Sequence, residues 1–187
     1  MLVACAAEKV DTTPADSVVV SSESPRLTDS AKARARAVVR PSGWGPIHFG
    51  MTIDDLHRVR PDLDDSTVSA IPGGQCYHLR VPPDTSSAGI PTDLLLMINE
   101  GRVARIEVRD SITETVEGAR VGDSEARIRS LYAGRLRVEP HEYVDGHYLI
   151  VMQGDNKHRI VFETDGKRVT RYRAGRHPEV EWVEGCS

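Results

Sequence analysis

The residues best placed to do chemistry lie in "EPHEYVDGHY" at 139–148, which gathers Glu139, His141, Glu142, Asp145 and His147. Two imidazoles and a carboxylate can hold zinc or a similar ion, so Glu139, His141 and His147 define a possible metal-dependent hydrolase. The spacing of His141 and His147 suits a hairpin rather than a helix face. Asp145-Gly146 between them is itself a good hairpin turn, so a plain polar turn with no metal is the favoured reading, and no cofactor is expected. In "VGDSEAR" Ser124 would be a nucleophile only on an exposed turn beside a base and an oxyanion hole. A helix N-cap explains it more simply. The acidic "DLDDS" at 62–66 lacks the ordered ligand spacing of a calcium loop.

A different chemistry is carried by Arg168, Arg171, Arg173 and Arg176, close together near the C-terminus. Guanidinium groups pair well with carboxylates and anchor interfaces, so these residues, with Trp44 at a binding rim, are expected to contact an acidic partner surface or an anionic polymer. The competing reading is a solvated face whose charges protect an edge strand, with Trp44 in the core.

These residues need elements to hold them. Thr52 is a plausible N-cap with Asp55 three residues on; Ile53, Leu56 and Val59 share a helical face, and Pro61 ends the helix. Strands are expected at 76–81, 93–98 and 102–108, the last two joined by a turn at 99–101. The second half repeats the plan at an offset of 72, pairing Gly50 with Gly122, Thr52 with Ser124 and Leu56 with Ile128. Strands "LRVEP", "HYLIVM" and "HRIVFET" follow, and Asp165-Gly166 turns into "KRVTRYR". Two units this short cannot each bury a good core. The expected fold is α+β: two helix-plus-antiparallel-strand repeats, 43–110 and 111–187, sharing one sheet with both helices on one face.

The glycine turn, capped helix and strand meander resemble the repeat of the β-lactamase inhibitory proteins, and that of the small outer-membrane lipoproteins that assist β-barrel assembly. The C-terminal stretch is also similar to exported bacterial proteins of unassigned function. The first resemblance implies a binding protein, not an enzyme, that uses a sheet face and loops against a protein partner.

At the other end, Leu2-Val3-Ala4-Cys5 resembles the lipobox of bacterial lipoproteins, which implies a lipid on Cys5 and, with Ala6 following, an outer-membrane address. A secretion signal needs a basic region and roughly 7–15 apolar residues, so a longer leader is expected upstream. Residues 6–42 are rich in Ala, Ser, Thr, Pro and charge, a composition that suits a tether. Only 29–39 could form a short helix. Residues 43–187 form the single domain. No run of about 18 apolar residues occurs, and the net charge of −4 argues against general nucleic-acid binding.

The chain has three cysteines. If Cys5 carries lipid, Cys76 and Cys186 are left to pair, closing a loop worth on the order of 4–5 kcal/mol of chain entropy. Such a bridge fits an oxidising compartment. The expectation is a lipid-anchored binding protein of the bacterial cell envelope, facing the periplasm. It would be an inhibitor, immunity or assembly factor with a protein partner. The alternatives are the metal-dependent hydrolase and a structural lipoprotein that binds an envelope polymer.

Overall fold

The computed structural model describes residue 1 and residues 38–63, 68–70, 75–82 and 93–186, with 68–70 described by backbone alone. Cys5, nearly all of the expected tether and most of the acidic 62–66 stretch lie outside the described residues. Three two-residue strands, β1 (Val39–Arg40), β2 (Gly43–Trp44) and β3 (Ile47–His48), form a small sheet. Helix α1 (Ile53–Val59) follows, then β4 (Val68–Ala70), β5 (Cys76–Arg80), β6 (Leu94–Asn99) and β7 (Arg102–Val108). Helix α2 (Glu125–Leu131) precedes β8 (Leu136–Pro140), β9 (His147–Met152), β10 (His158–Thr164) and β11 (Val169–Arg176). A 3-10 turn at Glu179–Glu181 begins the C-terminal tail.

The larger sheet has the order β4-β5-β6-β7-β11-β10-β9-β8 and is antiparallel throughout. Two meanders thus join through their last strands, with Ile106 opposite Ala174 and Tyr172 opposite Val108. The architecture is mainly β, which corrects the α+β expectation: each helix is only seven residues long. Their caps explain the brevity. The Thr52 hydroxyl accepts from the Asp55 amide at 3.2 Å and Ser124 accepts from Arg127 at 3.2 Å, which starts each helix. Pro61 then stops the first and Gly134, at φ 78°, follows the second.

The approach to each helix uses the same hydrogen bonds. Gly50 donates to Val103 O and Gly122 to Val169 O; Ile53 donates to Gly101 O and Glu125 to Lys167 O. Both glycines have φ above +90°, where an L side chain is strained. Each turn is also held by a guanidinium from the facing strand: Arg102 to Gly50 O at 2.8 Å and Arg168 to Gly122 O at 2.7 Å.

One continuous core lies between the helices and one face of the sheet. It includes Leu56, Leu79, Leu96, Ile106, Ile128 and Phe162. Val39 is fully buried in it and donates to Glu114 O at 2.8 Å, so the folded part begins before Gly43, the expected boundary. Val59, expected on the buried face of α1, is 39% exposed because the helix ends there.

Candidate functional site: the charged face of the sheet

The other face of the large sheet carries charge. In β7 the alternation that puts Ile106 and Val108 on the core side leaves Arg105 and Glu107 on this side. Half-buried strands normally send such residues to water. Here the tail, residues 177–186, folds back over them. Arg105 is 2% exposed and donates to the carbonyls of Glu179 and Trp182, each at 2.7 Å, and to Glu107 at 2.5 Å. Gly175 sits opposite Arg105 across the ladder, and a Cβ there would fall 2.4 Å from the Arg105 Cβ. The missing side chain is what lets the Arg105 stem lie flat on the sheet.

The tail is held along its length. Arg173 donates to Val180 O at 2.6 Å, Arg176 to Glu179 at 2.9 Å, and Glu181 pairs with both Arg159 and Arg137. Val180 is buried against Tyr148, Ile150 and Val161. Cys186 is joined to Cys76 at the start of β5, with Cα atoms 5.4 Å apart.

Between the tail and β5–β7 an open groove of about 520 Å³ remains. Arg80, Arg109 and Arg171 stand on it with His78, Glu107 and Tyr143. Arg80, Arg109 and Arg171 have side chains 60%, 41% and 39% exposed. Each meets one carboxylate: Asp93 at 3.0 Å, Glu107 at 3.4 Å and Glu163 at 2.5 Å respectively. A guanidinium has five N–H donors, so each keeps donors for a further acceptor. Burial alone would raise the Glu107 carboxyl. The hydrogen bond from His78 and the charge of Arg105 outweigh it and hold Glu107 well below the usual carboxylate range. Glu107 is therefore an anion already matched by Arg105. Tyr143, at the exposed tip between β8 and β9, donates to Glu184, and that bond pushes its hydroxyl pKa up to about 12.

The arginines expected to form one partner-binding face are divided. Arg168 is the clip on the Gly122 turn. Arg173 is 4% exposed and bound to Glu163 and the tail, and Arg176 is occupied by Glu179. Only Arg171 reaches the groove. The edge-strand alternative also fails, because β11 lies between β7 and β10 in mid-sheet. Trp44 packs against the core with the Arg60 guanidinium 5.5 Å from its ring, away from the charged face.

Glu139, His141 and His147 are not brought together. His147 Nδ1 lies 2.8 Å from Glu125 at the start of α2, on the helix side. The His141 ring stacks on Tyr148 at 4.5 Å, on the tail side. Glu139 pairs with Arg137 on the outer strand. Among the described residues no three His, Cys, Asp or Glu side chains are grouped to hold a metal.

His78, Arg80, Arg105, Glu107, Arg109 and Tyr143 are not among the site residues expected from the sequence, where Arg105 and Glu107 read only as the polar alternates of a half-buried strand. The available signal was the i, i+2 pairing of Arg105 with Glu107 among the apolar residues 103–108. A second was the acidic alternation of "PEVEWVEG" near the C-terminus.

No family model matches the chain, and no curated protein matches it. Among solved structures it is similar to the uncharacterized protein yfeY from Escherichia coli, with a TM-score of 0.48 and 14% identity over 74% of this chain and 99% of that one. It is also similar to an extracellular protein containing a SCP domain from Bacillus anthracis str. Ames, with a TM-score of 0.44 and 7% identity over 69% of this chain. The chain spans 44% of that second protein's length. Likenesses this shallow bear on neither ancestry nor activity. What the structure itself defines is a mainly-β protein with one apolar and one charged sheet face, the charged face strapped by a disulfide-linked tail.

Proposed function

We propose that this is an exported, lipid-anchored binding protein of the bacterial cell envelope that acts on a protein partner, as an inhibitor, immunity or assembly factor. The observation that carries this reading is the charged face: arginine donors stand on an open groove whose floor is a sheet and whose wall is a covalently held tail. A rigid floor with few moving parts lowers the ordering cost of association. Tyr143 and Val144, 64% and 53% exposed at the adjoining hairpin tip, add an apolar contact of the kind that anchors interfaces. The Cys76–Cys186 bond supports an oxidising compartment, and the lipobox-like Leu2–Cys5 stretch supports an anchor. A photo-crosslinking residue in place of Val144 tests the reading in envelope extract. It should give one protein adduct of fixed mass, whereas the same residue in place of Val116, 55% exposed beside β1, should give none. Absence of a protein adduct from position 144 would refute the proposal.

A further inference from the structure

The tail shows what the charged face recognises. Residues 179–184 read Glu-Val-Glu-Trp-Val-Glu. Their carboxylates meet Arg176, Arg159 and Arg137, or the Tyr143 hydroxyl, and their carbonyls accept from Arg105 and Arg173. The face thus already binds one acidic segment, supplied in cis. The open groove continues the same face: Val183, Glu184 and Gly185 of the tail form one side of it, and Arg80, Arg109 and Arg171 stand opposite with donors to spare. Of the two acids that line it, Glu107 is matched by Arg105, with His78 3.5 Å away, and Glu184 accepts from the Tyr143 hydroxyl.

From this juxtaposition we infer that the groove is a second carboxylate-binding site, shaped for an extended acidic segment of a partner protein that lies beside the tail. The inference rests on the partner-binding reading and names the partner's chemistry. Arg80 and Arg109 are the rim donors, Arg171 the inner one, and Tyr143 the aromatic cover. The disulfide keeps the tail seated, so an added segment must use the open half of the face.

The test uses the full oxidised chain and a labelled peptide that copies residues 179–184, with its ends blocked, followed by fluorescence anisotropy. Saturable binding is expected, weakening as salt rises. Replacing the peptide's three glutamates by glutamines should weaken it about tenfold or more, that is, by about 1.4 kcal/mol or more. Arg80→Glu and Arg109→Glu should do the same while melting within a few degrees of the wild type. Arg135→Glu, placed at Tyr132 on the helix side, should bind normally. Equal binding of the glutamine peptide, or normal binding by Arg109→Glu, would overturn the inference. So would a polyphosphate of matching charge that competes as well as the peptide, since that marks a general polyanion surface. If the peptide fails while the crosslink from position 144 still forms, partner binding stands and only the acidic-segment inference falls. If both fail, the binding reading falls with it.

Discussion

Replacing Glu163 by glutamine should cost this protein about 3 kcal/mol. Its side chain is 2% exposed, on the penultimate residue of β10, which lies between β9 and β11. It accepts from Arg173 and from Arg171 Nε at 2.5 Å, and His141 Nε2 lies 3.5 Å away. Glutamine keeps the size and one acceptor but removes the charge. Arg173 is then the group that suffers. Its side chain is 5% exposed. Burial, and after it the charge of Arg105, bring its pKa down to about 10, so it stays cationic at neutral pH. Breaking a buried pair by removing one partner costs about 3–5 kcal/mol. The lower end applies because Arg171 can turn its charge to water and because Glu107 and Glu181 still act on Arg173. Denaturant unfolding followed by far-ultraviolet circular dichroism should show a lower midpoint at unchanged slope. The melting temperature should fall by roughly 6–12 °C, at about 2–4 °C per kcal/mol for a domain of this size. Changing both residues, Glu163→Leu with Arg173→Met, should cost less than the two single changes together, since an apolar pair leaves no stranded charge. A loss under about 0.5 kcal/mol for Glu163→Gln, as at an ordinary surface site, would refute the buried-pair reasoning, and so would simple additivity in the double variant.

Cys76→Ser with Cys186→Ser should lower stability by about 4–5 kcal/mol, the chain-entropy value for a separation of 110 residues; coincident unfolding midpoints for oxidised and reduced protein would contradict it. Gly175→Ala should destabilise by about 1–3 kcal/mol or more, because its Cβ would meet the Ala104 carbonyl at 2.6 Å as well as Arg105; a normal melting curve would show that the strands can part there. Thr52→Ala and Ser124→Ala should each cost about 1 kcal/mol as lost caps and add nearly independently, which calorimetry on the double variant checks. Burial, then the charges of Arg171 and Arg173, lower the pKa of His141, so the folded state resists its protonation. Below the unfolded histidine value of about 6.5 the unfolded chain gains the proton more readily, and stability should fall as pH drops. His141→Phe, which keeps the stacking on Tyr148, should flatten stability between about pH 6.5 and 5; an unchanged slope would mean that another group sets it.

Local signals in the sequence were enough for the elements whose causes are local. Thr52 and Ser124 were readable as caps because the partner amide lies three residues away. The strand from Arg102 to Val108 was readable because period-two alternation needs no distant neighbour. The cysteine count made Cys76 with Cys186 the natural pair, and the structure joins them. Tertiary structure decided which strands lie in the middle, and with that the meaning of the arginines. Once β7 and β11 pair, side chains that alternate outward face a covered surface, so Arg105 and Arg173 become buried grips on the tail rather than solvent-facing charges. The register of β8 on β9, with Pro140 opposite His147, sent His141 and His147 to opposite faces and dissolved the metal triad, since adjacency along a hairpin says nothing of which side each residue takes until the register is set. The groove at Arg80, Arg109 and Arg171 draws on β5, β7 and β11 with a wall from the tail. Its members are far apart in the chain, and only long-range strand pairing and the return of residues 177–186 over the sheet bring their charges to one place.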